Sequence, residues 1–150
     1  MATDRAILLV EDNEDDVFLM KRALKEAGVT NPLQIVEDGQ EAVDYLNGSG
    51  QFSDRARYPL PAVVFLDLKL PLRSGHDVLA WVRSQKEFAS LVVVVLTSSE
   101  EASDVNKSYK LGANSYLVKP PTAEQLLSMA KAFKWYWLQC NKFDKDPVAS

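Results

Sequence analysis

Residues 62–71 read AVVFLDLKLP: the apolar run Ala62 to Leu66 has no polar interruption, ends on the carboxylate Asp67, and is followed by Pro71. A strand with one wet face alternates polar and apolar side chains, so an unbroken run marks a strand covered on both faces, as in a parallel sheet. Comparable runs occur at Ala6 to Val10, Leu33 to Val36, Leu91 to Leu96 and Ser115 to Val118. Segments of helical spacing lie between them. Val17, Met20, Leu24 and Ala27 form one stripe behind a cap at Asn13, with Asp16 three residues on and Gly28 as the stop. A second helix covers Gln40 to Leu46 and stops at Gly48, and a third starts near Ser74 and carries Val78, Leu79 and Val82. The fourth, only weakly apolar, runs from about Glu100 to Leu111 and stops at Gly112. The fifth starts at Thr122, just after Pro120 and Pro121, with Leu126, Ala130, Phe133 and Trp137 inward. Strands alternating with helices give an α/β fold: a parallel sheet, helices on both faces, right-handed crossovers. Residues 47–61 form a long connection before the third strand, and Lys142 to Ser150 a polar tail.

The chain has 150 residues, 47% hydrophobic and 25% charged, which suits one domain with an ordinary core. Cys140, the single cysteine, cannot form an internal bridge, which excludes a disulfide scaffold and a cysteine-rich zinc module. No apolar run approaches the ~20 residues needed to cross a bilayer, and the start of the chain lacks the charged leader and long apolar run of a secretion signal. The expectation is a cytoplasmic protein without a membrane partner. A net charge of -4 argues against direct nucleic-acid binding, which usually needs a basic surplus or stripe.

In an open α/β sheet, sites form beyond the carboxyl ends of the strands. The first run ends in Glu11-Asp12, the third in Asp67, the fourth in Thr97 and the fifth in Lys119. Three carboxylates brought together would repel one another unless a cation joined them, and oxygen ligands of this kind suit Mg²⁺. With Mg²⁺ and Lys119 present such a site is close to neutral and ready for a phosphoryl group. Asp67 is the expected nucleophile, through an aspartyl phosphate.

These residues, in this order and spacing, resemble the receiver domains of two-component response regulators. The resemblance spans roughly Ile7 to Ala132 and rests on Glu11-Asp12 in LLVEDN, Asp67 in FLDLKLP, the Pro71 to Gly75 loop, Thr97 in VLTSS and Lys119-Pro120 in YLVKP. It implies a flavodoxin-like (βα)5 three-layer sandwich with a five-stranded parallel sheet of order 2-1-3-4-5, for which a receiver is itself a standard example. It implies that Asp67 accepts phosphate from a histidine kinase's phosphohistidine. Glu11, Asp12, the Asp67 carboxylate and the backbone carbonyl of Lys69 would hold Mg²⁺. Lys119 would pair with the phosphoryl oxygens, Thr97 would hydrogen-bond them, and Tyr116 would be the aromatic that swings inward when Thr97 moves. Glu11 stands where the family often has aspartate. The Lys119-Pro120 bond is expected to be cis, and Lys69 and Ser99 occupy positions that tune phosphoryl lifetime in the family.

Blander roles compete at several positions: Asp67 as a strand-end residue, Glu11-Asp12 as acids favoured by the dipole of the first helix, Thr97 as a helix cap, and Tyr116 as a core aromatic. His76, the single histidine, is expected on the surface. A dehalogenase-type phosphatase would need a second acid two residues after the nucleophile, where Lys69 stands. A flavodoxin-like cofactor binder would need a phosphate-cradling loop after the first strand, where EDNEDD would repel phosphate. An interaction module that keeps the fold without the chemistry is the third alternative.

With few residues after Lys119, a stand-alone receiver is expected. A fifth helix from Thr122 to Cys140 would be about 28 Å long, against ~17 Å for a five-residue strand, so it should overhang the sheet. Trp135, Tyr136 and Leu138 fall partly off its inward stripe. The expectation is a homodimer through the fourth helix, fifth strand and fifth helix, with Phe133, Trp135 and Tyr136 at the interface. The long connection, the VVVVLTSS strand and the aromatic C-terminal extension are similar to the single-domain subfamily exemplified by cyanobacterial phytochrome response regulators. That likeness implies a sensor histidine kinase partner, often of phytochrome type.

Overall fold

The structure, a computed structural model, describes residues 5–144. Every side chain of three strands is buried: β1 (Ala6–Val10), β3 (Pro61–Leu66) and β4 (Val92–Thr97). Such strands can only lie at the centre of a layered sheet. Indeed β2 (Leu33–Val36) and β5 (Ser115–Val118), which keep partial exposure, are the edges, and all pairs are parallel in the order β2-β1-β3-β4-β5.

Helices cover both faces. α1 (Glu14–Glu26) and α5 (Ala123–Phe133) press Met20, Leu24, Ala130 and Phe133 onto Ile7, Leu9, Phe65 and Val94. α2 (Gly39–Asn47) and α3 (Gly75–Ser84) bury Tyr45, Leu46, Val78 and Leu79 against Leu8, Val10, Val64 and Leu66 on the other. The caps follow local chemistry: Asn13, Asp38, Ser74 and Thr122 each accept a backbone N–H in the first turn of the helix they open, and Ser74 with Asp77 completes a capping box. α4 (Ala102–Lys110) differs, because Ser108 is its one buried residue.

Arg55 ties the long connection to the end of α2. Arg55 donates to the carbonyls of Tyr45 (2.7 Å), Leu46 (2.7 Å) and Tyr58 (3.1 Å), closing the loop over the end of α2. Tyr58 then packs edge-on against both Tyr45 and Phe52, and Phe52 lies tilted against Tyr45.

Four expectations need correction. The fifth helix is not α-helical to its end: residues Lys134–Cys140 are wound as a π-helix. The i→i+5 winding changes the register, so Leu138 turns inward and is buried beside half-buried Trp137. Phe133 belongs to the core rather than an interface, 5% exposed with its ring centroid 4.7 Å from that of Phe65. The segment from Lys142 is not uniformly polar tail, since Phe143 packs on the same cluster; residues 145–150 lie outside the described residues. The Lys119-Pro120 peptide is trans, as the described chain has no cis bond; trans keeps an intrinsic preference of roughly 0.5–1 kcal/mol even before proline.

Trp135 and Tyr136 remain 64% and 57% exposed. Phe133→Ala is therefore expected to destabilise the fold by about 3 kcal/mol or more, while Trp135→Ala stays within about 0.5 kcal/mol. Urea unfolding of both variants checks this, and equal losses would mean that Trp135 is packed as Phe133 is.

Candidate functional site

Parallel pairing aligns the carboxyl ends of β1, β3, β4 and β5, and each delivers one functional group to that edge. Glu11 follows β1, Asp67 follows β3, Thr97 ends β4 and Lys119 follows β5. Glu11, Asp67 and Thr97 are buried and Asp12 is exposed. Carboxylate oxygens of Glu11, Asp12 and Asp67 lie within 4.8 Å of one another, a donor set of hard oxygens that could hold a divalent cation.

The Lys119 ammonium knits the site together. Its Nζ lies 2.6 Å from Glu11 Oε1, 2.8 Å from Asp67 Oδ2 and 2.9 Å from Asp16 Oδ2. Asp67 is oriented from its other side, where Oδ1 accepts the Leu68 N–H at 2.7 Å. Lys69 follows with an exposed side chain and its N–H 3.5 Å from the same oxygen. Close backbone contact shapes the loop after β3. A Cβ on Gly75 would collide with the Asp67 carbonyl, and the Gly75 N–H donates to Leu68 O at 2.8 Å. Leu72, with φ 67°, sits in a tight turn in which the Arg73 N–H donates to Pro71 O at 2.7 Å.

Burial is the main force on the Glu11 carboxyl. It pushes the pKa up to about 6, opposed by hydrogen bonds from Lys119 and the Asn13 backbone and assisted by the nearby Asp67 charge. For Lys119, burial alone would lower the pKa, but bonds to Asp67, Glu11 and Asp16 prevail and raise it, so the ammonium stays charged.

Around Thr97 the contacts lead outward to α4. Thr97 Oγ1 lies 3.4 Å from the Ser99 N–H, the Tyr116 hydroxyl donates to the Ser99 carbonyl at 3.0 Å, and Ser99 Oγ donates to Asp104 Oδ2 at 2.6 Å. Burial first, with Asp104 and Asp67 adding to it, raises the Tyr116 pKa, so the phenol keeps its proton. Ser108, fully buried on α4, donates to the Asp104 carbonyl at 2.8 Å and stands 2.9 Å from His76 Nε2. His76 is thus half-buried and bonded, not the free surface residue expected. Its docking depends on α4, which no local pattern around Gly75 reports.

Glu11, Asp12, Asp67 and Lys119 are brought together, Thr97 ends β4, and Tyr116, second in β5, reaches the Ser99 carbonyl with its hydroxyl. Phe133, Trp135 and Tyr136 are remote from them on the C-terminal helix. Asp16 was missed. Its signal was its place at the third helical position after the Asn13 cap, one turn beyond the acidic pair.

The pH dependence of stability follows from Glu11. A carboxyl whose pKa is raised from 4.5 to about 6 binds its proton more tightly in the folded chain than in the unfolded one. Its contribution is full below the unfolded value and is lost as pH rises through the folded value, a change of about 2 kcal/mol. Glu11→Gln should therefore gain on the wild type between pH 4.5 and pH 6 and hold that gain above it. Urea unfolding across that range without divalent cations checks it, and a constant difference would refute it.

Comparison with known proteins supplies the family. The response regulator receiver domain model matches residues 7–131. Response regulator Rcp1 of Synechocystis is 35% identical over 135 residues, covering 90% of this chain and 90% of its own. The crystal structure of the phosphorylated cyanobacterial phytochrome response regulator RcpA superposes with a TM-score of 0.87 at 33% identity, covering 94% of this chain and 99% of that one. The Mn²⁺-bound form of Rcp1 superposes with a TM-score of 0.85 at 33% identity over the same shares. Fold, site and relatives agree: the chain belongs to the response regulator receiver domains of two-component signalling systems.

Proposed function

We propose that this chain is a single receiver domain that accepts a phosphoryl group on Asp67 from the phosphohistidine of a sensor histidine kinase, in a Mg²⁺-dependent step. The observation that carries the reading is the convergence of Asp67 with Lys119 at 2.8 Å and with Glu11 and Asp12 within 4.8 Å. Receiver domains bind a divalent metal, and the oxygen-only donor set here fits one. Glu11, Asp12, Asp67 and the Lys69 carbonyl would hold it, and when bound it neutralises charge on the transferred group.

The chain's own residues do the rest. An Asp67 oxygen attacks phosphorus, the new O–P bond forms as the P–N bond breaks, and the electron pair leaves on the donor imidazole, which takes up a proton. Lys119, half-buried and kept charged, meets the phosphoryl oxygens as negative charge gathers there. Thr97 offers its hydroxyl to the same group. Motion of Thr97 reaches Ser99, which bonds both Tyr116 and Asp104, so the event passes to β5 and α4. The catalysis is confined to its own phosphorylation and dephosphorylation.

The same reading takes the kinase to be of phytochrome type, by likeness to RcpA. It takes exposed Trp135 and Tyr136 as part of a homodimer face formed with α4 and β5. Among the described residues no helix is long and apolar enough to cross a membrane. The same reading places its action in the cytoplasm, and the net charge of -4 accords with the lack of direct nucleic-acid contact.

Incubation with Mg²⁺ and acetyl phosphate, followed by intact mass, should show one added phosphoryl group, absent in Asp67→Asn and absent without the metal. A wild-type chain that binds Mg²⁺ yet gains no mass from either acetyl phosphate or a phosphorylated kinase would overturn the acceptor role. For the dimer, sedimentation at tens of micromolar should give twice the chain mass in the wild type and the single mass in Trp135→Glu. A wild-type monomer would remove the interface.

A further inference from the structure

Lys119 has three N–H bonds and three carboxylate partners, Glu11, Asp67 and Asp16, at 2.6, 2.8 and 2.9 Å. Two of the three, Glu11 and Asp67, belong to the converging acid group; Asp16 does not. A cation held by that group competes with the ammonium for the charge of Glu11 and Asp67, so a loaded site weakens two of the lysine's bonds and leaves the third.

Asp16 is also fixed in place. Its N–H donates to Asn13 Oδ1 at 3.0 Å, and the Asn13 N–H donates in turn to Glu11 Oε2 at 3.1 Å, so the first turn of α1 is tied to the acid that precedes it. Beside the Asp16–Lys119 pair lies a small cavity of about 50 Å³ walled by Leu9, Leu19, Met20, Leu96 and Leu126. Glu11 and Asp16 are the only side-chain acceptors in that lining. With Glu11 engaged elsewhere, Asp16 is the one acceptor left there for Lys119.

We propose that Asp16 is a positioning residue: it anchors the Lys119 ammonium beside Asp67 once a cation has taken Glu11, so that the ammonium already stands where the phosphoryl oxygens arrive. The inference rests on Asp67 being the acceptor. It also has a direct rival with the opposite sign. Were Asp16 merely one more negative charge near the acceptor, its removal would relieve repulsion and speed phosphorylation.

The test uses the full chain with Mg²⁺ and acetyl phosphate, where the Asp67 O–P bond forms as the donor P–O bond breaks and acetate leaves with the electron pair. Asp16→Ala should slow the initial rate about tenfold, the effect of losing one charge-assisted hydrogen bond that is partly open to water. Asp16→Asn should lie between, and Asp16→Glu should restore part of the rate. In a Lys119→Ala background Asp16→Ala should cost nothing further, because both changes remove the same interaction. Independently of turnover, the ¹⁵N resonance of the Lys119 ammonium in the Mg²⁺-saturated chain should be sharp in the wild type and broadened by exchange with water in Asp16→Ala.

A rate equal to or above wild type in Asp16→Ala, a full penalty persisting without Lys119, or an unchanged ammonium resonance would each overturn the anchor. Failure of the wild type to take phosphate would count against the proposed function instead. The ammonium resonance still decides the anchor in that case.

Discussion

The site depends on one ammonium shared among carboxylates from three elements. Lys119 hangs from the end of β5, yet its partners follow β1, follow β3 and ride on the first turn of α1. Four acids, Glu11, Asp12, Asp16 and Asp67, crowd the same edge of the sheet against this one cation, and two of them are buried. Without the lysine, the desolvated charges of Glu11 and Asp67 would face each other unpaired, an arrangement that costs several kcal/mol. With it, the acids still outnumber the cation, and that unbalanced charge is what makes the edge receptive to a divalent ion. The fold therefore keeps a deficit of positive charge at this edge of the sheet, and burial above all, with the Asp67 charge adding to it, pushes the Glu11 pKa up to about 6.

The parts of this arrangement visible in the sequence are those set by local rules. Unbroken apolar runs announce buried parallel strands, and in such a sheet the next residue must sit at the ligand edge, so Glu11, Asp67, Thr97 and Lys119 could be placed together. Caps at Asn13, Ser74 and Thr122 were legible for the same reason, since a cap is decided within a few residues. Asp16 was not, because its partner is 103 positions away and a first-turn acid already has an ordinary explanation in the helix dipole. His76 was misjudged in the same way: its bond to Ser108 spans 32 positions and exists only once α4 has docked. At the C-terminus the fault was different in kind. A helical wheel assumes one winding, and the π-helical stretch from Lys134 to Cys140 breaks it: Leu138, off the inward stripe of an α-helix, is buried, while Phe133 lies inside and Trp135 and Tyr136 outside as that stripe requires.

The helices are not held alike, and the difference bears on how a change at Asp67 could travel. α1, α2, α3 and α5 each bury several apolar side chains, and packed cores resist small displacements because lost contacts are costly. α4 buries only Ser108 and is secured to its surroundings by polar bonds: Ser99 to Asp104 at 2.6 Å and Ser108 to His76 at 2.9 Å. Each such bond contributes about 1 kcal/mol net, less than the buried apolar side chains that seat each of the other helices. A helix held this way has alternatives within thermal reach, whereas a hydrophobically seated one does not.

The ties of α4 begin at Ser99, two residues beyond Thr97, and Tyr116 on β5 is fastened to the carbonyl of that same residue. A displacement of Thr97 would therefore loosen α4 and Tyr116 together while leaving the sheet and the α1–α5 layer in place. Trp135 and Tyr136, exposed just beyond the end of α5, stand outside this loose element and on the firm side of the molecule. A partner that gripped both regions would sense the state of the site as a change in one half of its contact surface, the other half serving as a fixed reference.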